Sequence, residues 1–230
     1  MALQHNPYIP TSGLLFAFDP GNPRSYPGSG STLTDASGNG YTQSLVNGPT
    51  YSSANGGSIV MDGTDDYATV ADNAALRLST AFTQVICVRF NAVVTVSYKT
   101  LFGKPNYTQY GLIVEWYGNN LILADFIDTN GARNALSLAP NQTLNTWNIV
   151  IHSYDRNAGS NNHRLRLLQS GSDATTTGTS TLAVQTSTDA MYIGGGGLSM
   201  QVGPTLLYNR QLTSTEEVNV LAAYRGRYGI

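Results

Sequence analysis

Short apolar runs recur along this chain, and almost every one is cut off by Gly, Asn, Asp, Ser or Pro before it reaches helical length. Leu14–Phe18 ends at Asp19-Pro20-Gly21-Asn22-Pro23 and reads as a buried strand. Phe82, Ile86, Val88 and Phe90 share one parity, while Thr83, Arg89 and Asn91 fall on the other; that pattern predicts a half-buried strand. Tyr110–Tyr117 and Leu121–Ile127 flank Gly118-Asn119-Asn120, a hairpin signal. Ile59–Met61 and Tyr67–Val70 flank Asp62-Gly63-Thr64-Asp65-Asp66 and read as two strands joined by a tight turn. Trp147, Ile149 and Ile151 alternate with Asn148 and His152, and Leu165 and Leu167 with Arg164 and Arg166. Met191–Ile193 and Thr205–Tyr208 complete the set, and Asp19 to Gly57 reads as loop, tightest at Asp35–Gly40.

One segment has the helical period. Ser214 is placed to cap a helix over Thr215–Tyr224, with Glu217 closing a capping box and Gly226 as the stop. Val218, Leu221 and Ala222 would form its apolar face. Many short strands with one short C-terminal helix predict an all-β fold, a β-sandwich. Pro7, Pro10 and Gly13 make residues 1–13 an N-terminal arm, and residues 14–230 read as a single domain without repeat or composition break.

Only 11% of the 230 residues are charged, and the polar load rests on Ser, Thr, Asn and Gln, which speaks against a helical bundle. Twelve basic and fourteen acidic residues give a net charge of −2 with no basic run, so a nucleic-acid partner is excluded. No apolar stretch approaches the roughly 20 residues that span a bilayer. Cys87 is the one cysteine, which excludes an internal disulfide and predicts a buried structural thiol. The N-terminus has neither the basic nor the apolar region of a signal peptide. The expected location is a host cytosol, or a larger particle assembled there.

Gly13–Asp19, Asp35–Gly40, Ser58–Tyr67, Trp147–Tyr154, Met191–Gly195 and Leu207–Val218 together resemble the concanavalin A-like lectin/glucanase superfamily, in its laminin-G-like jelly-roll branch. They follow the family's order over residues 13–220. The stretch Asp19–Gly63 looks like members encoded by tailed bacteriophages, where such domains are virion components. The resemblance implies a concanavalin A-like jelly-roll sandwich. It also implies a departure: Gly203 and Pro204 stand where members often carry an Asp-Glu pair, which puts a shared calcium site in doubt.

The glucanases of that superfamily place alternating carboxylates on one strand face, as retaining hydrolysis requires. This chain has three Glu: Glu115, which has no acidic neighbour two residues away, and Glu216 and Glu217 at the helix start. No catalytic residues are expected, and the chain is read as a non-enzyme. His5, His152 and His163 lack a nucleophile pattern and read as surface or strand histidines. Asp62, Asp65 and Asp66 are the candidate metal ligands, with Asp35 and Asn39 as further oxygen donors; calcium is the one cofactor considered, and turn formation is the competing explanation. Gly194–Gly197 reads as a flexible turn. Tyr107, Tyr110, Trp116 and Tyr117 are candidates for stacking on a glycan, against core or interface packing.

The expected function is a structural virion protein of a tailed phage, a capsid decoration (cement) protein. It would bind the shell through loops and an arm carrying Met1, Leu3, His5, Tyr8 and Ile9, with the major capsid protein or tail subunits as partners and as a homo-oligomer on the particle. The alternative is a glycan-binding adhesin or receptor-binding module of the tail.

Overall fold

The computed structural model describes residues 8–92, 98–104, 112–117, 121–139, 144–195 and 197–230, with Tyr117 described in its backbone alone. The first strands are β1 (Leu14–Phe18), β2 (Thr32–Thr34), β3 (Thr42–Val46), β4 (Thr50–Ser52), β5 (Ser58–Asp62) and β6 (Tyr67–Val70). The middle of the chain forms β7 (Ala81–Phe90), β8 (Lys99–Gly103), β9 (Ile113–Tyr117), β10 (Leu121–Ile127) and β11 (Arg133–Leu138). Then come β12 (Trp147–Asp155), β13 (His163–Gln169), β14 (Ser172–Gly178), β15 (Met191–Ile193), β16 (Ser199–Tyr208) and the helix α1 (Ser214–Tyr228).

Two antiparallel sheets make a sandwich. Sheet A runs β14-β13-β12-β7-β16-β5-β4, with β1 also on β16. Sheet B runs β11-β10-β9-β8-β15-β6-β3-β2. The turn after β5 therefore crosses from one sheet to the other, since β5 lies in sheet A and β6 in sheet B. The stretch from Asp19 to Gly57 is less loop-like than its sequence reads, because β2, β3 and β4 lie within it.

Strand alternation separates two apolar layers. Phe82, Ile86, Val88 and Phe90 of β7 point between the sheets, where they meet Val114, Trp116, Ile122, Ala124 and Phe126. Val85 and Cys87 point the other way, into a second cluster with Trp147, Ile149, Ile151, Leu221, Tyr224 and Tyr228. β7 is thus buried on both faces rather than half-buried, because α1 covers the outer face of sheet A. Burial pushes the Cys87 thiol far up, as suits an inert core residue.

The helix starts one residue earlier than expected. Thr213, not Ser214, is the N-cap: its Oγ1 accepts the Glu216 N–H at 3.2 Å, and Glu216 Oε2 accepts the Thr213 N–H at 2.9 Å. The helix runs past Gly226 and stops at Gly229, whose φ of 68° needs a residue that tolerates the left-handed region. The register shift changes the buried face. Glu217, Val220, Leu221, Tyr224 and Tyr228 face sheet A, while Val218 is 50% exposed and Ala222 is exposed. Glu217 lies under the helix as an ion clamp: Arg164 donates to it at 2.6 and 2.9 Å and Arg166 at 3.4 Å. At the other end, a Cβ on Gly203 would stand 2.3 Å from the Tyr228 hydroxyl, so β16 must carry glycine there for the helix to dock.

His152 and His163 are buried between the sheets, not on the surface. Their Nε2 atoms lie 3.0 Å apart, and His152 Nδ1 lies 2.9 Å from Gln84 Oε1. Gln84 in turn donates to the Phe102 carbonyl of sheet B at 3.0 Å. Burial lowers both histidines, His163 to about 4, so the pair is neutral; its hydrogen bonds tie β12, β13 and β7 within sheet A, and Gln84 alone in this chain of bonds crosses to sheet B.

Candidate functional site

The hairpin β9–β10 pairs Glu115 with Leu123 and Ile113 with Asp125. With Val114, Trp116, Ala124 and Phe126 facing the core, Ile113, Glu115, Leu123 and Asp125 face outward. Glu115 and Asp125 are thus diagonal neighbours on the outer face of sheet B. β11 adds Arg133 beside them, opposite Ile127. Tyr98, just before β8, is half-exposed at the rim with a left-handed φ of 55°. Tyr98, Glu115, Asp125 and Arg133 line an open cleft of about 170 Å³.

Arg133 organises this cleft. Its Nε donates to Asp125 Oδ2 at 2.5 Å, and its Nη2 contacts the same oxygen. That same Nη2 reaches Glu115 Oε2 at 3.4 Å, so one nitrogen serves two carboxylates. Nη1 donates to the Tyr98 hydroxyl at 3.2 Å, and the guanidinium lies 4.9 Å from the Tyr98 ring centre. Both carboxylates are buried. Burial raises Glu115 to about 7, with the nearby Asp125 charge adding and Arg133 opposing. Burial also raises Asp125, against the pull of Arg133. One guanidinium cannot neutralise two carboxylates, so near neutral pH Glu115 is shared between a protonated donor and an ionised acceptor.

This arrangement offers a fixed set of acceptors, a donor and an aromatic face. Retaining hydrolysis asks in addition that one of two neighbouring carboxyl groups be free to attack as a nucleophile. Asp125 is held by two guanidinium nitrogens and is not free in that sense.

The reading of Glu115 as a lone acid is corrected here, because its acidic partner lies across the hairpin rather than along the strand. For Trp116 the core-packing alternative holds and glycan stacking does not. It is fully buried, with its ring 4.2 Å from that of Phe90, and presents nothing to a glycan. Tyr107 and Tyr110 lie outside the described residues, as does the Tyr117 side chain. Tyr98 was not anticipated, since an aromatic next to a turn carries no periodic signal.

Asp62, Asp65 and Asp66 do come together, with ligand atoms within 4.8 Å of one another. Their oxygens already serve the turn: Asp62 Oδ1 accepts the Thr64 N–H at 2.7 Å, and Asp66 Oδ2 accepts the Asp62 N–H at 3.0 Å. To reach the six to eight oxygens that calcium takes, the cluster would have to add backbone carbonyls and water. Asp35 and Asn39 belong elsewhere. Asp35 Oδ1 accepts the Ala17 N–H at 2.8 Å, and Asn39 donates to the Leu14 and Leu15 carbonyls at 2.9 Å, stitching their loop to β1.

Of the arm residues, Met1, Leu3 and His5 lie outside the described residues. Tyr8 is 61% exposed, but Ile9 is 2% exposed and packs in the cluster beneath α1, so it serves this chain's own core rather than a partner.

No protein-family model matches the sequence, and no curated protein matches it. Solved structures do. The binding domain of Paraclostridial mosquitocidal protein 1 superposes with a TM-score of 0.68 at 12% identity, covering 91% of this chain and 51% of that one. The binding domain of botulinum neurotoxin DC, solved in complex with SialylT, gives 0.70 at 12% identity over 95% of this chain and 52% of that one. Botulinum neurotoxin type C, which interacts with two ganglioside molecules, gives 0.68 at 12% identity over 94% and 51%. The chain spans about half the length of these structures. Identity this low establishes the shared β-sandwich fold of binding domains and no more.

Proposed function

We propose that this chain is a saccharide-binding module that seats a neutral sugar ring in the Tyr98–Glu115–Asp125–Arg133 cleft without cleaving it. The observation that carries the reading is the convergence of two buried carboxyl groups, one guanidinium and one aromatic ring on a single open cleft. Vicinal hydroxyls donate to carboxylates and accept from a guanidinium, and the apolar face of a sugar ring lies against tyrosine. At about 170 Å³ the cleft is well below the roughly 300–1,000 Å³ of drug-sized pockets, so it suits one ring rather than a chain. An acidic sugar is disfavoured, since Arg133 is already committed to two carboxylates.

The likeness in fold to toxin binding domains supports a receptor-binding role over shell decoration. Placement on a phage particle rests on the sequence resemblance, and the arm loses Ile9 as a contact for a neighbouring subunit. A tail-borne receptor-binding module is therefore preferred to a capsid cement.

The test is retention on an array of neutral glycans. Wild type should be retained, and Tyr98→Ala and Asp125→Asn should each weaken binding at least tenfold while keeping the melting transition. Retention unaffected by both changes would overturn the assignment to this cleft. Release of nitrophenol from nitrophenyl glycosides would replace it with a hydrolase.

A further inference from the structure

A second cleft lies on the opposite face of the sandwich. Arg89 of β7 and Trp147 of β12 are register partners on the outer face of sheet A, beside the last turn of α1. With Asn55, Asn145, Ser170 and Tyr228 they line a cleft of about 350 Å³. The Trp147 and Tyr228 rings lie against each other, tilted by 33° with centres 4.1 Å apart, and form an aromatic wall. Asn145, held in the left-handed region at φ 67°, accepts from Arg89 Nη2 at 3.1 Å and fixes the guanidinium.

Two features set this cleft apart from the first. Arg133, Arg164, Arg166, Arg210 and Arg227 each have a carboxylate partner, whereas Arg89 has none among the described residues. In addition, Arg89 Nε and the indole Nε1 of Trp147 are buried without an acceptor among the described residues, and Trp147 is 4% exposed. A buried donor without a partner is unfavourable, so both call for an acceptor. Water could cap the indole, but it cannot neutralise the guanidinium. An anion does, and a planar carboxylate matches an arginine fork. The amides of Asn55 and Asn145 and the hydroxyl of Ser170 offer what sugar hydroxyls need, and the volume falls in the range of ligand pockets.

We propose that the Arg89–Trp147 cleft binds a carboxylated saccharide, such as a uronic or nonulosonic acid, at a site separate from the acidic cleft. The two clefts thus divide ligands by charge: sheet B takes the neutral ring and sheet A the acidic one.

The test follows the two indole N–H signals of the ¹⁵N-labelled chain, assigned with Trp147→Phe. Glucuronate or N-acetylneuraminate should shift the Trp147 signal to saturation, while glucose leaves it in place. Arg89→Gln should weaken the titration at least tenfold, and Glu115→Gln should leave it unchanged. Asn145→Ala, which keeps the charge but frees the guanidinium, should weaken it less and serves if Arg89→Gln fails to fold. No shift with either acid overturns the proposal, as does an equal shift with glucose. Binding of inorganic phosphate as tight as that of the acids would mean an anion hole indifferent to sugar, which also overturns it.

Discussion

The outer faces of the two sheets use the same groups in different balance. Under α1 on sheet A, the carboxylate of Glu217 is sealed in between two arginines, Arg164 and Arg166, the second of which also pairs with Asp173 at 2.7 and 2.9 Å. On sheet B, one arginine, Arg133, takes two carboxylates, Glu115 and Asp125, beside an open cleft. Burial raises both glutamates, but at Glu217 both arginines oppose the rise, whereas at Glu115 a second carboxylate reinforces it. The first arrangement is saturated, so it holds a helix in place. The second keeps an exchangeable proton and unused acceptors, which is what a ligand needs.

The largest test of this contrast is Glu217→Ala. It leaves Arg164 without its carboxylate and Arg166 with Asp173 alone, and removing one partner of a buried ion pair costs about 3–5 kcal/mol. We expect about 4 kcal/mol from the urea midpoint, with α1 loosened from sheet A. Glu115→Ala should cost much less, because its carboxyl is poorly neutralised in the fold. Equal losses would erase the distinction between clamp and cleft.

The second test is pH. Glu115 is raised from 4.5 to about 7 in the fold, so its protonated form is the favoured one. Its contribution to stability is complete below pH 4.5 and is lost as the pH rises through 7. That shift amounts to roughly 3 kcal/mol. Glutamine is neutral throughout, so from about pH 4.5 to about pH 8 the stability of Glu115→Gln should gain roughly 3 kcal/mol relative to wild type. Parallel curves would mean that Glu115 is solvated and that the cleft is not built as described.

Much of the sandwich was legible because strand alternation is a local signal. β1 and β10 match their expected spans, and the two-faced pattern of β13 correctly separates Leu165 and Leu167 from Arg164 and Arg166. β2, β3 and β4 were not legible. They are three to five residues long and mostly polar, and they exist because neighbouring strands pair with them. The cleft was legible only in part, for a geometric reason. Glu115 and Asp125 are ten positions apart in sequence and meet through the register of β9 on β10, which a search along one strand does not reach. Trp116 failed as a glycan platform for the same reason, since its parity within β9 decides which face it joins.

The smallest test concerns what puts Glu217 over its arginines. A helix turns roughly 100° per residue, so a cap at Ser214 would rotate the buried face and bring Val218 under the helix in place of Glu217. The chain instead caps at Thr213, with Glu216 closing the box and held well down, at about 2, by Arg210. Thr213→Ala should therefore cost about 1 kcal/mol, and Ser214→Ala no more than about 0.5 kcal/mol, both read from urea midpoints. The reverse order would return the cap to Ser214. The double variant Thr213→Ala/Glu217→Ala sharpens the point. If the cap matters because it fixes the rotation that seats the clamp, its loss in the Glu217→Ala background should be smaller than in wild type, by at least about 0.5 kcal/mol. Strict additivity would mean that the helix start and the clamp are independent, and that the packing of Leu221, Tyr224 and Tyr228 alone sets the rotation of α1.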